Sequence, residues 1–330
     1  MIVGAIGYEV HSGLGHLMRD FFEQGVVDRV MVVTHPHYQK YNNWYPPDRR
    51  FTRSTTSRFL QDLDVLLVFE NAFYWDVAAR AKQQGSKFVV IPNYEYTPFP
   101  PKVEPDLFLC GSLLDVDYYQ DRWPIAFLPI PVDTKRFPWR LRERAETFVH
   151  NAGHGQRGFA KGTPQIVEAM NHVKSPVKLI LRMQPGERRT QEMQNALKGH
   201  PRIDIRFGEW NEDQLYSEGD VFLNAEQYNG MSLMLQEAHA SGMLTMTTDR
   251  YPTNTWLPRD PLIPVERYEK DHIAVEFDRA VVRPEEIARK IDEWHGKDVA
   301  QLSLRGKEWA ERHSWTTLKP SYMNILEGLL

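Results

Sequence analysis

The chain has 330 residues and a mass of 38.6 kDa, with 40 lysines and arginines against 44 aspartates and glutamates, a net charge of −4. That near-balance excludes a histone-like basic binder, and 42% hydrophobic with 25% charged residues excludes a disordered chain. At ~100–200 residues per domain the length suits two cores, and a lone cysteine, Cys110, supports neither an internal disulfide nor a multi-thiolate zinc site.

From the N-terminus, the Met1–Gly13 stretch has no basic lead and is interrupted by Glu9, unlike a secretory leader. No run reaches the ~18 apolar residues of a membrane span. A soluble, cytoplasmic protein is expected. Short apolar runs at Ile2–Gly7, Arg29–Thr34, Asp64–Phe69, Lys87–Pro92, Asp106–Cys110 and Ile125–Ile130 predict strands, with helices near 14–24, 73–84 and 113–120. The runs are apolar throughout rather than alternating, which suits strands covered on both faces. Pro131–Pro138 and the charged Arg140–Glu146 then read as a linker.

The pattern restarts beyond it. Strands are expected at Thr147–Asn151, Val177–Arg182, Ile203–Phe207, Asp220–Asn224, Leu244–Thr248 and Leu262–Val265. Helices are expected near 162–172, 188–198, 211–218, 231–241, 284–295, 298–312 and 317–329. Such alternation predicts an α/β fold of two doubly wound, Rossmann-like domains with an interdomain cleft. The first would span 1–132 and present an acceptor. A linker at 133–146 would lead to a nucleotide-sugar domain at 147–315, and a terminal helix at 316–330 would pack back toward the first domain.

Three segments carry chemistry. His11-Ser12-Gly13-Leu14-Gly15-His16 leaves a strand and opens a helix, where glycines permit close backbone approach and exposed N–H groups favour an anion. A dinucleotide fingerprint would place a third glycine at position 18, which is Met18, and a carboxylate after the second strand, which ends Val33-Thr34-His35. A nicotinamide oxidoreductase is therefore disfavoured. The second segment, Asn151–Gly162, is glycine-rich and carries Arg157 and Lys161 just before a helix. Two cations there suit a diphosphate and the charge it gains as a leaving group. The third, Asp220–Gly242, reads as strand, polar loop and helix, with Gly230 allowing close approach and Glu237 able to accept from both hydroxyls of a ribose.

Together these segments, with Pro131–Phe137 and Phe207-Gly208, resemble the retaining GT-B glycosyltransferases of the large family 4 type along nearly the whole chain. The resemblance implies donor contacts from Gly13, Gly15, Asn229, Gly230, Met231, Ser232 and Glu237. It assigns the ribose to Glu237 and the diphosphate to Arg157 and Lys161. One departure stands out: the family has an acidic residue where this chain has Asn229. Asparagine can donate and accept hydrogen bonds but offers no charge to a developing oxocarbenium ion.

Acceptor contacts are expected from the first domain. Between Tyr38 and Arg58, the aromatic residues Tyr38, Tyr41, Trp44, Tyr45 and Phe51 are interleaved with Lys40, Arg49, Arg50, Arg53 and Arg58. That mixture suits sugar stacking, or phosphate contact with base stacking. Tyr94 and Glu95 follow a strand end, where open α/β sheets place ligands, and Glu95 or Glu70 could orient an acceptor hydroxyl. His35 and His37 lack a third ligand, so no metal site is expected. His150 and His154 flank the phosphate-loop candidate.

The expected activity is retaining transfer of a sugar from a nucleotide diphosphate sugar, UDP-sugar in the first instance, to a hydroxyl acceptor by front-face displacement. No cofactor or metal is called for. Two other readings remain open at this stage. One is a phage-type transferase acting on DNA that carries a hydroxymethylated base, suggested by the basic aromatic segment. The other is a nucleotide-sugar or glycan-binding protein whose catalytic motif has decayed, suggested by Asn229.

Overall fold

The computed structural model describes residues 1–34, 42–153, 160–184, 197, 199–208, 210–257 and 261–330. Two compact α/β units emerge. The first comprises Met1–Pro131, His272–Glu276 and Trp315–Leu330, and the second Val132–Asp271 and Phe277–Ser314.

In the first unit, strands β1 (Val3–Gly7), β2 (Arg29–Val32), β3 (Arg50–Phe51), β4 (Val65–Phe69), β5 (Lys87–Ile91), β6 (Leu107–Cys110) and β7 (Ile125–Phe127) form one sheet in the order β3-β2-β1-β4-β5-β6-β7. Every pairing is parallel. Val-Leu-Leu-Val-Phe of β4 is buried at all five positions, as a central strand between two helix layers must be. Helices α1 (Gly13–Glu23), α2 (Thr56–Leu60), α3 (Trp75–Gln83) and α4 (Leu113–Tyr119) supply those layers. The C-terminal helix Trp315–Glu327 belongs to this unit: Phe21 of α1 meets Trp315 and Tyr322 edge-on at 4.9 and 5.1 Å, and the Tyr322 hydroxyl donates to the Pro129 carbonyl at 3.1 Å. Two elements escaped the sequence reading. β3 is only two residues long and α2 only five, so neither leaves a periodic signal.

The second unit repeats the plan with β8 (Phe148–Gly153), β9 (Leu179–Met183), β10 (Ile203–Phe207), β11 (Val221–Asn224) and β12 (Leu244–Thr247), all parallel in the order β10-β9-β8-β11-β12. One sheet face packs on α5 (Thr163–Ala169) and the helix Pro284–Trp294, through Phe148, Leu179, Val221, Ile166 and Ile287. The opposite face, with Val149, Ile180 and Phe222, packs on the helix Leu233–Ala240 and on Trp309. The expected strand Leu262–Val265 does not form. Ile263 makes a single bridge to Thr248. Instead β13 (Arg267–His272) and β14 (Glu276–Val281) pair in a charged two-stranded sheet laced by Arg267–Glu269 and Lys270–Asp278, whose composition conceals any strand pattern. The helix expected near 188–198 lies outside the described residues apart from Leu197.

Each sheet has a topological switch point, β1/β4 in the first unit and β8/β11 in the second, where chains leave in opposite directions and open a crevice at the strands' carboxyl ends. Behind the second crevice, Arg142 is 1% exposed. Its guanidinium donates to the carbonyls of Gly219, Arg140 and Tyr216, each at 2.8 Å, and desolvation pulls its pKa down to about 10. Replacing Arg142 by methionine keeps the volume but leaves these carbonyls short of donors. The second unit is expected to lose about 3 kcal/mol, read as a lower urea midpoint and as faster amide exchange in residues 216–219.

Candidate functional site

At the β8/β11 crevice, Lys161 lies over the end of β8. Its Nζ donates to the Ala152 carbonyl at 3.2 Å, and a side chain on Gly153 would meet that nitrogen at 2.7 Å. Gly162 starts α5 so close to β11 that a Cβ would run into the Ala225 carbonyl oxygen. The Gln227 N–H donates to the Ala160 carbonyl at 2.7 Å, so the two loops are bound together. Arg157 and His154, which sequence reading placed beside Lys161, lie outside the described residues.

His150 locks the strand ends from beneath. It is fully buried, with Nδ1 2.8 Å from the Leu223 carbonyl and Nε2 2.8 Å from the Thr163 hydroxyl. The carbonyl can only accept, so Nδ1 carries the proton and Nε2 accepts from Thr163. Loss of hydration, followed by the charge of Lys161, pulls the imidazole pKa down to about 3. His150 is thus a neutral structural link rather than a donor ligand.

The loop after β11 is built on a buried ion pair. Glu226 and Arg250, each 4% exposed, meet at 2.8 Å. Glu226 also accepts from Ser232 Oγ at 2.5 Å and from Asn229 Nδ2 at 3.1 Å, while Arg250 donates to the Asn229 carbonyl at 2.6 Å. Asn229 Oδ1 accepts the N–H groups of Met231 and Ser232, both at 3.1 Å. Ser232 adopts a left-handed conformation, φ 47°, at the start of the helix Leu233–Ala240. Such strain in a non-glycine residue persists only where surroundings over-determine it, often at ligand sites. Gly230, Met231 and Ser232 are buried within this loop.

Glu237, one turn into that helix, accepts the Tyr216 hydroxyl at 2.6 Å. On the same sheet face, Arg182 stands beside Asn151 across the β9–β8 register, and Asn224 beside Thr247 across β11–β12. Arg182 donates to the Leu215 carbonyl and to Glu218, the latter at 2.9 Å. Asn224 is 1% exposed, and neither of its amide atoms has a hydrogen-bond partner among the described residues. Tyr216, Arg182, Arg250 and Asn224 were all missed in the sequence. The partners of Tyr216, Arg182 and Arg250 lie many residues away, and no local spacing signals any of the four.

In the first unit, Ser12 caps α1 by accepting the Gly15 N–H at 3.1 Å. Gly15 is buried, and a Cβ there would strike the Val10 carbonyl oxygen, whereas Gly13 faces open space. Trp44 is half-buried between His11 and His16, with ring centroids at 5.3 and 5.4 Å, and the Arg19 guanidinium lies 5.2 Å from its ring. Glu9, wholly buried, accepts the Trp44 N–H at 2.7 Å and pairs with Arg50 at 2.8 Å. Arg53 pairs with Asp76 at 2.9 Å, and Arg49 is exposed. Tyr38, Lys40, Tyr41, His35 and His37 lie outside the described residues.

Glu70 and Glu95 follow β4 and β5. Glu70 has φ 59° and is half-buried; Glu95 is wholly buried. With its amide nitrogen turned toward Glu95, Asn93 donates to Oε2 at 2.7 Å and Oε1 at 3.2 Å. Asp115 accepts the Tyr94 N–H at 3.0 Å and the Ser112 hydroxyl at 3.0 Å, and burial pushes its carboxyl up to about 7. These bonds fix the backbone on which Tyr94 and Glu95 stand. Among the described residues no three His, Cys, Asp or Glu side chains assemble for a metal ion, and no helix is long and apolar enough to cross a membrane.

Two outcomes follow from this geometry. An unfolded imidazole titrates near ~6.5, so below that pH the unfolded chain takes up a proton that folded His150 refuses. Stability should be fully present above pH ~6.5 and fall by up to about 1.4 kcal/mol per pH unit toward pH 3; urea midpoints across that range check the slope, which should be shallower in His150→Gln. Asn229→Asp keeps the oxygen that accepts the two N–H groups but turns a second carboxylate oxygen on Glu226. It is expected to cost about 1–3 kcal/mol, measured by thermal unfolding against the parent.

No protein-family profile matches the chain, and no curated protein matches it in sequence. Solved structures do match in fold. HepE of Anabaena, determined with UDP and glucose, gives a TM-score of 0.71 at 12% identity over 99% of this chain and 100% of that one. Sucrose-phosphate synthase of Thermosynechococcus elongatus gives 0.68 at 14% identity over 100% and 99%. The pneumococcal O-GlcNAc transferase GtfA, determined with UDP and GlcNAc, gives 0.61 at 15% identity over 84% of this chain, which spans only 59% of that one. At these identities the likeness is one of fold: two Rossmann-like domains, as in GT-B glycosyltransferases.

Proposed function

We propose that this protein is a glycosyltransferase that moves a sugar from a nucleoside diphosphate sugar to a hydroxyl acceptor. The observation that carries the reading is the grouping of Lys161 over the end of β8 with the strained loop and helix that bear Ser232 and Glu237 after β11. Each lies where an open parallel sheet places its ligand. The second unit takes the donor. Lys161 faces the diphosphate, the role sequence reading also gives Arg157; Glu237 accepts from the ribose; Gly230, Met231 and Ser232 line the sugar–phosphate end. The fold shared with proteins determined with UDP and UDP-glucose makes UDP-sugar the first donor to try.

Transfer proceeds with retention. The bond from the anomeric carbon to the β-phosphate oxygen breaks, the acceptor oxygen bonds the same face, and its proton passes to the departing phosphate. Positive charge at Lys161 stabilises the anion that forms, an effect worth ~3–4 kcal/mol for one such donor. Asn229 does not face the sugar as a charge. It fixes the loop whose backbone does.

In the first unit Gly13 and Gly15 open α1, and the acceptor contacts come from Trp44, Arg49, Arg50 and Tyr94. The ion pairs of Arg50 with Glu9 and Arg53 with Asp76 reduce the positive charge that suggested a DNA acceptor. A neutral hydroxyl acceptor, oriented by Glu70 or by Glu95 through Asn93, fits the remaining groups better. The ordered network around Asn229 likewise speaks against a decayed site.

The test is release of nucleoside diphosphate from a panel of sugar nucleotides, with the product's anomeric configuration read by NMR. Lys161→Ala is expected to lower turnover about 10²–10³-fold, and Glu237→Gln to raise the donor KM. Unchanged kinetics in both variants would overturn these roles.

A further inference from the structure

We infer that Tyr216 is a positioning residue that sets the orientation of the Glu237 carboxylate and so gives the site its preference for a ribose over a deoxyribose nucleotide. This rests on the donor reading above and adds to it a residue outside the donor motif. The Tyr216 hydroxyl donates to Glu237 Oε2 at 2.6 Å, a short bond to a charged acceptor. A carboxylate otherwise turns broadly about its last torsion. With one oxygen bound in a fixed direction, its remaining lone pairs point in fixed directions too. Accepting from two neighbouring hydroxyls at once requires that constraint, within about 10–20°.

The surroundings hold Tyr216 itself to an unusual degree. Its ring, 2% exposed, is met edge-on by Phe137 at 5.6 Å and Phe222 at 5.5 Å. Its carbonyl accepts from Arg142 Nη2, and the carbonyl of the preceding Leu215 accepts from Arg182 Nη1 and, at 3.4 Å, from Asn151 Nδ2. Two buried guanidiniums and an amide thus converge on the turn that carries one phenol. Burial and the charge of Glu237 drive the phenol's pKa well above its usual range, so it stays protonated as a donor at any working pH. A buried tyrosine needs some acceptor for its hydroxyl. Here the acceptor is the one carboxylate of the helix that opens onto the strained Ser232 loop.

The experiment compares binding of ribonucleoside diphosphates (UDP and GDP) with that of their 2′,3′-dideoxy counterparts, by calorimetry, in the parent protein and in Tyr216→Phe. The urea midpoint is followed in parallel to confirm folding. Removing the hydroxyl is expected to weaken the ribonucleotide about tenfold and the dideoxynucleotide less than twofold. In a Glu237→Gln background, where diol recognition is already impaired, Tyr216→Phe should add less than twofold for either ligand. Equal losses for both ligands, or none for the ribonucleotide, would overturn the positioning role while leaving the donor site standing. Failure of the parent protein to bind any of these nucleotides would instead remove the donor reading, and this inference with it.

Discussion

Burying a guanidinium costs several kcal/mol unless its N–H groups find acceptors, and Arg142 meets that condition with backbone carbonyls. Three 2.8 Å bonds fix Arg140, Tyr216 and Gly219 around one charge. The turn so fixed is the entry to β11, since the Asp220 N–H and carboxylate continue into the sheet through Thr147. Its first residue points a hydroxyl at Glu237. A single side chain from the segment ahead of β8 therefore ties the central strands to the helix that carries the proposed ribose acceptor. Packing alone would leave that helix free to shift by fractions of an ångström, which a bidentate contact does not tolerate.

The loop between β11 and the following helix solves a related problem with a different set of residues. An acidic residue at position 229 would stand beside Glu226, two carboxylates in a buried loop. This chain has a neutral amide at 229 and a compensated charge at 226. The amide's two ends are used in opposite senses: Oδ1 accepts from the loop's N–H groups and Nδ2 donates to the carboxylate. Arg250 neutralises Glu226 and grips the Asn229 carbonyl. The departure at 229, taken with Glu226 and Arg250, is a self-consistent rearrangement of charge. It leaves Ser232 in a conformation that glycine would adopt more easily, which only a closed network of bonds can impose on a serine.

Much of the fold was legible because parallel strands buried on both faces write themselves as continuous apolar runs. β4 is such a run, and β5 is one after Lys87; β8 and β9 carry His150, Asn151 and Arg182 among their apolar residues, and β11 ends on Asn224. What the sequence hid falls into two kinds. β3, α2 and the β13–β14 pair are too short or too charged to produce periodicity; the last is held by alternating ion pairs on an exposed surface. The other kind is partnership at long range. Lys161 and Glu237 could be named from their local motifs. Nothing near Glu226 in sequence announces Arg250, nor does anything near Glu237 announce Tyr216. The spacing of Trp44 and Arg50 suggested an open basic surface, yet the charge that answers Arg50 is Glu9, 41 residues earlier and wholly buried.

The orphaned amide of Asn224 extends the same reasoning. A buried asparagine whose amide atoms find no partner among the described residues is costly, and its register neighbour Thr247 and the nearby Asn151, whose Oδ1 is also unpaired among the described residues, make the end of the sheet polar where aliphatic residues would pack better. This row lies on the face covered by the helix of Glu237, at the strand ends where β8 and β11 part. A sheet edge kept polar at a topological switch point is what a site for a hydroxyl-rich, hydrogen-bonding ligand requires. Such a polar row at the strand ends fits the donor-binding role proposed for the second unit.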